Sequence, residues 1–210
     1  MEGNLLANRT HENRSPSDFY PTPPEVTIAL LNYLKLPYNT RIWEPACGEG
    51  HMAKTIKHQG YPFVIATELR DRGYGRTGMD FLISPFNPCD WIITNPPFSL
   101  SEQFILRSIE HGKPFAFLLK SQYWHATSKL KIFEQYRPEA VLPLTWRPNF
   151  LFDQKERKSG SPLMEVYWTV WGSKPAKQTI YCPLPRPKSD KKRGDEYGLF
   201  KNYSSIPQAE

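Results

Sequence analysis

The sequence predicts an α/β protein built on a mostly parallel sheet with helices on both faces. Continuous apolar runs recur at Phe63-Val64-Ile65-Ala66-Thr67, Trp91-Ile92-Ile93-Thr94 and Phe115-Ala116-Phe117-Leu118-Leu119. Such runs, without polar alternation, mark strands covered on both sides. Segments with helical spacing separate them, as in Val26, Ala29, Leu30, Tyr33 and Leu34. Strand and helix in alternation imply crossover units and a parallel sheet.

Each element has a local reason. Thr22-Pro23-Pro24-Glu25 has the spacing of a capping box, with proline at the first helical position. Arg41 to Ala46 is extended and enters a turn at Cys47-Gly48-Glu49-Gly50. His51 to Gln59 is the next helix, closed by Gly60. The second strand, 63–67, ends at Glu68, and a Gly-rich stretch from Arg70 to Gly78 leads to Met79-Asp80-Phe81-Leu82. Strand 91–95 follows, then a helix from Ser101 to about Glu110, with Ser99 and Glu102 as a second capping box and Gly112 as its stop. Lys129 to Tyr136 is expected to be helical, Ala140 to Leu144 extended, and Glu165 to Trp171 a strand rich in aromatic and β-branched residues.

At 210 residues the chain can bury one core. Residues 1–17 are polar and expected to form a flexible arm. Residues 18–171 are the expected domain, and 172–210, rich in Pro and Lys, an extended or disordered tail. The net charge of +6 suits a polyanionic partner. Cys47, Cys89 and Cys182 lack paired spacing, so neither a disulfide framework nor a zinc site is expected, and a reducing compartment is. No apolar run reaches membrane-spanning length and the first residues lack a leader's apolar core, so the expected location is cytoplasmic.

Asn95-Pro96-Pro97-Phe98 is the most informative stretch. It follows a buried strand and precedes a helix. Each proline confines the residue before it to extended conformations, which makes a rigid loop offering a side-chain amide, a carbonyl and an aromatic face. That set suits gripping an amino group on a flat ring, although two prolines and an Asn after a strand are also ordinary turn chemistry. The other notable polar residues fall at strand ends, where open α/β sheets bind ligands. Glu44 opens into Ala46-Cys47-Gly48-Glu49-Gly50, whose glycines allow close backbone approach to a ligand at a helix N-terminus. Glu68 is placed to accept hydrogen bonds from ribose hydroxyls. Asp80 could bond an adenine amino group, with Phe81 covering the ring; an Asx turn beside a core Phe is the plainer reading.

The order of glycine turn, acidic strand end, Asp-Phe and Asn-Pro-Pro-Phe resembles the S-adenosylmethionine-dependent methyltransferases that modify amino groups, most closely the DNA adenine-N6 methyltransferases. Asp18-Phe19-Tyr20-Pro21-Thr22-Pro23 is similar to the segment that phage-type members place before the first glycine motif, and Gln103-Phe104 also matches. The resemblance spans about residues 18 to 171. It implies a Rossmann-like class I methyltransferase fold, a seven-stranded, mostly parallel sheet whose last strand is antiparallel. It implies S-adenosylmethionine as cofactor and DNA as partner. Tyr20, Pro21 and Thr22 would lie at the methionine part of the cofactor, with Glu44, Ala46, Gly48 and Gly50 lining its pocket. Glu68 would hold the ribose, and Asp80 and Phe81 the adenine. Asn95, Pro96, Pro97 and Phe98 would be catalytic: Asn95 and the Pro96 carbonyl accept from the target amino group, and Phe98 stacks on a flipped base. No metal is implied.

Two features depart from that family. About forty residues separate Lys131 from Trp171, too few for a sizeable target-recognition domain, so base-sequence specificity is expected to be low or carried by loops. Thr145 to Pro162, with Arg147, Lys155, Arg157 and Lys158 beside Trp146 and Phe150, is the candidate loop; a hairpin whose aromatics pack inward has the same composition. Glu at position 44 is the second departure. Methyltransferases acting on guanine-N2 of RNA or on glutamine amides share Asn-Pro-Pro with an aromatic, and a non-catalytic nucleic-acid-binding protein could retain the fold. A dinucleotide oxidoreductase would leave Asn-Pro-Pro-Phe unexplained.

Overall fold

The structure is a computed structural model, and it describes residues 19–150 and 164–188. In chain order the elements are α1 (Pro24–Leu34), β1 (Ile42–Glu44), α2 (His51–His58), β2 (Val64–Ala66), β3 (Trp91–Thr94), α3 (Ser101–His111), β4 (Phe115–Lys120), α4 (Leu130–Gln135), β5 (Ala140–Pro143), β6 (Val166–Trp171) and β7 (Ile180–Tyr181). The strands form one seven-stranded sheet in the order β2-β1-β3-β4-β6-β5-β7. β1 pairs in parallel with both β2 and β3, and β3 with β4. β6 runs antiparallel between β4 and β5.

Period-two alternation sends the strand side chains to two cores. Ile42, Ile93, Ala116, Leu118, Trp168 and Val170 face α1 and α2, where Val26, Leu30, Met52 and Ile56 meet them. Their neighbours Trp43, Ile92, Phe115, Phe117, Leu119 and Trp171 face the other way, onto Phe104 and Ile105 of α3 and Ile132 of α4. Both faces are therefore covered, and the continuous apolar runs follow from that. Trp168 is fully buried and its Nε1 donates to the Val26 carbonyl at 2.9 Å, tying β6 to α1.

Several local expectations come out differently. Neither capping box forms: α1 starts behind Pro23 and α3 behind Leu100, each without a side-chain cap. The Thr22 hydroxyl accepts from Asn95 instead, and the Glu102 carboxylate takes the Lys129 ammonium. β2, expected to be buried, is an edge strand and only half covered.

The sheet also continues past residue 171. Ile180 donates its amide to the Glu139 carbonyl at 2.8 Å and Cys182 to Val141 at 3.1 Å. Leu184 donates to Pro143 at 2.7 Å and is itself buried. Residues 172–188 therefore add a parallel edge to β5, where composition had suggested a loose tail. The cause is a sparse alternation, Ile180, Cys182, Leu184, embedded among prolines and lysines. The arm 1–17, the remainder of the tail and most of the basic loop (151–163) lie outside the described residues. Among the described residues, no helix is long and apolar enough to cross a membrane.

Trp168→Ala removes a fully buried ring and its hydrogen bond. A loss of about 3–5 kcal/mol is expected, read as a lower urea midpoint with unchanged slope.

Candidate active site

The chain leaves β1 on one side to reach β2, then crosses back to form β3 on the other side. Crossovers that depart in opposite directions leave a crevice above the carboxyl ends of β1 and β3. A cleft of about 360 Å³ lies there, within the size range of small-molecule sites. It receives Glu44 from the end of β1, Ala46 and Cys47 from the following turn, and His51 and Met52 from the head of α2. Glu68 follows β2, and Asp80 and Phe81 come from the turn at 79–82. Asn95, Pro97 and Ser99 follow β3, and Tyr20, Pro21 and Thr22 close the crevice from the segment before α1.

Asn95 has the most telling geometry. Its Nδ2 donates to the Tyr20 carbonyl at 3.1 Å and to the Thr22 hydroxyl at 3.1 Å. A carbonyl can only accept, so the amide nitrogen must face Tyr20 and the amide oxygen must face away. Asn95 Oδ1 is buried with no hydrogen-bond partner among the described residues. A buried acceptor left without a donor is unfavourable by about 1–3 kcal/mol, so a ligand N–H is its natural complement.

The glycine turn is shaped for the same cleft. Gly48 and Gly50 have φ of +55° and +82°, a region that disfavours side chains. A Cβ at Gly48 would collide with the Phe19 ring, and one at Gly50 with the Tyr74 ring. The Gly48 amide donates to Glu68 Oε2 at 2.8 Å. Glu68 Oε1 takes the amides of Leu69 and Arg70 at 3.0 and 3.3 Å. Its carboxylate is thus held by backbone, with about one lone pair remaining, on Oε2. Arg72 stacks on the Phe19 ring at 4.2 Å.

Glu44 is 3% exposed, and its Oε2 has no partner among the described residues. Burial pushes its carboxyl well above the usual carboxylate range; the Ala53 amide opposes this and Glu68 adds to it. Burial, with Glu44 and Glu68 nearby, also raises the Cys47 thiol, so it is no nucleophile at neutral pH.

No family model matches this sequence, and no curated protein matches it either. Solved structures do. A protein from Listeria monocytogenes designated a class I S-adenosylmethionine-dependent methyltransferase superposes with a TM-score of 0.55 at 17% identity, over 86% of this chain and 70% of that one. One from Pyrococcus horikoshii, designated an RNA methyltransferase, gives 0.57 at 16% identity, over 76% and 88%. The type I restriction-modification methyltransferase subunit of Streptococcus thermophilus gives 0.54 at 13% identity, over 79% of this chain and 47% of the subunit. The chain has the class I methyltransferase fold. It spans about half the length of the restriction-modification subunit.

Within this methyltransferase fold, ten of the fourteen residues singled out from sequence line the cleft: Tyr20, Pro21, Thr22, Glu44, Ala46, Glu68, Asp80, Phe81, Asn95 and Pro97. Gly48 and Gly50 are outside its lining, against the Phe19 and Tyr74 rings respectively. Pro96 and Phe98 are outside its lining. The Phe98 ring lies 5.8 Å from Tyr20 and beneath the Lys120 ammonium, 4.5 Å from its centroid. The Asx turn also forms, Asp80 Oδ1 accepting the Leu82 amide at 2.9 Å, and Phe81 is buried against Trp43 and Phe104. One Asp80 oxygen is spoken for, and the residue still faces the cleft.

Phe150 of the basic loop turns inward against Tyr20, and Arg147 pairs with Glu165 at 3.1 Å. Lys155, Arg157 and Lys158 fall outside the described residues. Sequence reasoning missed Phe19, His51, Arg70 and Arg72 as lining residues. Phe19 stood inside the quoted Asp-Phe-Tyr-Pro motif, and the two arginines stood directly after the acidic strand end, which were the available signals.

Thr22→Val leaves Asn95 Nδ2 with one acceptor. The expected loss is about 1 kcal/mol, measured by thermal denaturation against the wild type.

Proposed function

We propose that this chain transfers a methyl group from S-adenosylmethionine to the N6 amino group of adenine in DNA, with low or loop-encoded sequence specificity. The observation that carries the reading is the fixed Asn95 Oδ1, without a partner among the described residues, at the switch in strand order. An acceptor in that state fits a substrate that brings N–H donors, as an exocyclic amino group does.

The cleft residues fit the cofactor. The Glu68 carboxylate retains a lone pair for a ribose hydroxyl, Phe81 offers a ring and Asp80 an acceptor for adenine, and Glu44, once ionised, would face a cationic methionine end. Bound S-adenosylmethionine would supply a methyl group activated on a sulfonium centre.

The protein's own contribution is to prepare the nucleophile. An adenine amino nitrogen is a poor nucleophile because its lone pair is delocalised into the ring. Asn95 Oδ1 and the Pro96 carbonyl would accept its two hydrogens out of the ring plane, favouring a pyramidal nitrogen with a localised lone pair. The same acceptors would stabilise the positive charge that develops on nitrogen during transfer, and Asn95 is already oriented by its bonds to Tyr20 and Thr22. The methylated amine is then cationic and acidic enough to lose its proton to water. Phe98, outside the cofactor cleft and cradled by Tyr20 and Lys120, would stack on a base turned out of the duplex. The basic charge balance supports a polyanionic substrate.

The test is incubation with methyl-labelled S-adenosylmethionine and unmethylated duplex DNA, single-stranded DNA or RNA, followed by digestion and nucleoside mass spectrometry. N6-methyladenine from DNA is the expected product. Asn95→Ala should lower the rate by about 10²–10³-fold or more while cofactor affinity changes little. Product in RNA alone, or none at all with cofactor bound, would overturn the assignment.

A further inference from the structure

Glu44 sits at the end of β1, 3% exposed, with Oε2 facing no partner among the described residues. Its carboxyl accepts the backbone amide of Ala53, and no cation is paired with it among the described residues. Isolating an ionised carboxylate from water is so unfavourable that such a group normally keeps its proton. The direction of its titration shift agrees, with burial as the chief cause. The cleft is nonetheless where a ligand carrying positive charge is expected, and a neutral carboxylic acid offers that charge little.

We propose that Glu44 is the charge-selecting residue of the cleft: it holds a proton in the ligand-free protein and releases it when a cationic ligand enters. The inference rests on the reading of the cleft as the S-adenosylmethionine site. In the exchange the Glu44 O–H bond breaks, the proton passes to solvent, and the carboxylate left behind becomes counter-ion to the ligand. No other atoms or electrons move. The ligand class is an amino-acid-bearing, positively charged nucleoside, and a neutral isostere would gain nothing from the exchange.

Other charged and titratable groups border the same space: Cys47 in the glycine turn, His51 at the head of α2, Glu68 after β2, Arg70 and Arg72 beyond it, and Asp80 across the cleft. Cys47 is held as a neutral thiol chiefly by burial, with the Glu68 carboxylate adding to it. His51 is the other group that could shed a proton near neutrality, so the test must separate it from Glu44.

Linkage gives the sign. Where the free protein holds one proton more than the complex, affinity rises with pH, by up to about tenfold per unit. Titration calorimetry of the full chain with S-adenosylmethionine, between about pH 5.5 and 7, stays below the ordinary pKa of an α-amino group. Paired buffers of different ionisation enthalpy then count the protons released. The expected result is about one proton released per cofactor by the wild type and by His51→Gln, and none by Glu44→Gln, whose affinity should not vary with pH. Buffer-independent heats in the wild type overturn the proposal, and so does release that persists in Glu44→Gln or vanishes in His51→Gln. If Glu44→Gln does not fold, checked by circular dichroism, the wild type and His51→Gln decide alone. Binding without proton release would sink the Glu44 inference and leave the cofactor reading standing. Absence of any binding would overturn both.

Discussion

Because β1 pairs in parallel with β2 on one side and β3 on the other, the two connections must leave in opposite directions, and the space above the β1–β3 boundary cannot be filled by either. Everything chemically notable follows from that opening. Glu44 ends β1, Asn95 follows β3 and Glu68 follows β2, so residues far apart in the chain become neighbours around one cleft. The sheet cannot close the gap, and the protein lines it with polar groups anchored by backbone.

Anchoring by backbone is the common device. Glu68 is held by three main-chain amides, from the glycine turn and from its own following residues. Asn95 is oriented by a main-chain carbonyl and a threonine hydroxyl from the segment before α1. Groups placed in this way need not rearrange when charge develops nearby, the condition under which electrostatic stabilisation is most effective. Among the buried oxygens without a partner in the described residues are two that belong to cleft residues, Glu44 Oε2 and Asn95 Oδ1. Such atoms lower the stability of the folded chain and persist where a site has use for them.

The two faces of the sheet have different duties. α1 and α2 cover one, and the segments leading into them, Tyr20 to Thr22 and the glycine turn, deliver residues to the cleft. The other carries the larger aromatic cluster, Trp43, Phe81, Phe104, Phe115, Phe117 and Trp171. Phe81 and Phe104 belong both to that cluster and to the cleft wall. One side of the cleft is therefore as rigid as the core, a packing in which even small volume changes are felt.

Strand and helix identity were readable from the sequence because burial on both faces writes itself as continuous apolar runs, and helix stops such as Gly112 write themselves as glycine in a left-handed conformation. Local composition likewise marked Asn95, Glu68, Asp80 and the glycine turn, since residues at strand ends need unusual chemistry or unusual φ. Composition could not say which way side chains would be spent. Thr22 reads as a helix cap and serves as acceptor for Asn95, and Glu102 reads as the capping partner of Ser99 and meets Lys129. Those choices depend on groups more than twenty residues away in the chain. The attachment of Ile180, Cys182 and Leu184 to β5 was equally hidden, because a weak alternation becomes a strand only where an open edge is present to receive it. Local sequence thus determined the elements and the chemical inventory of the site. Tertiary packing decided which groups meet, which hydrogen bonds are satisfied within the protein, and which buried acceptors are left without a partner among the described residues.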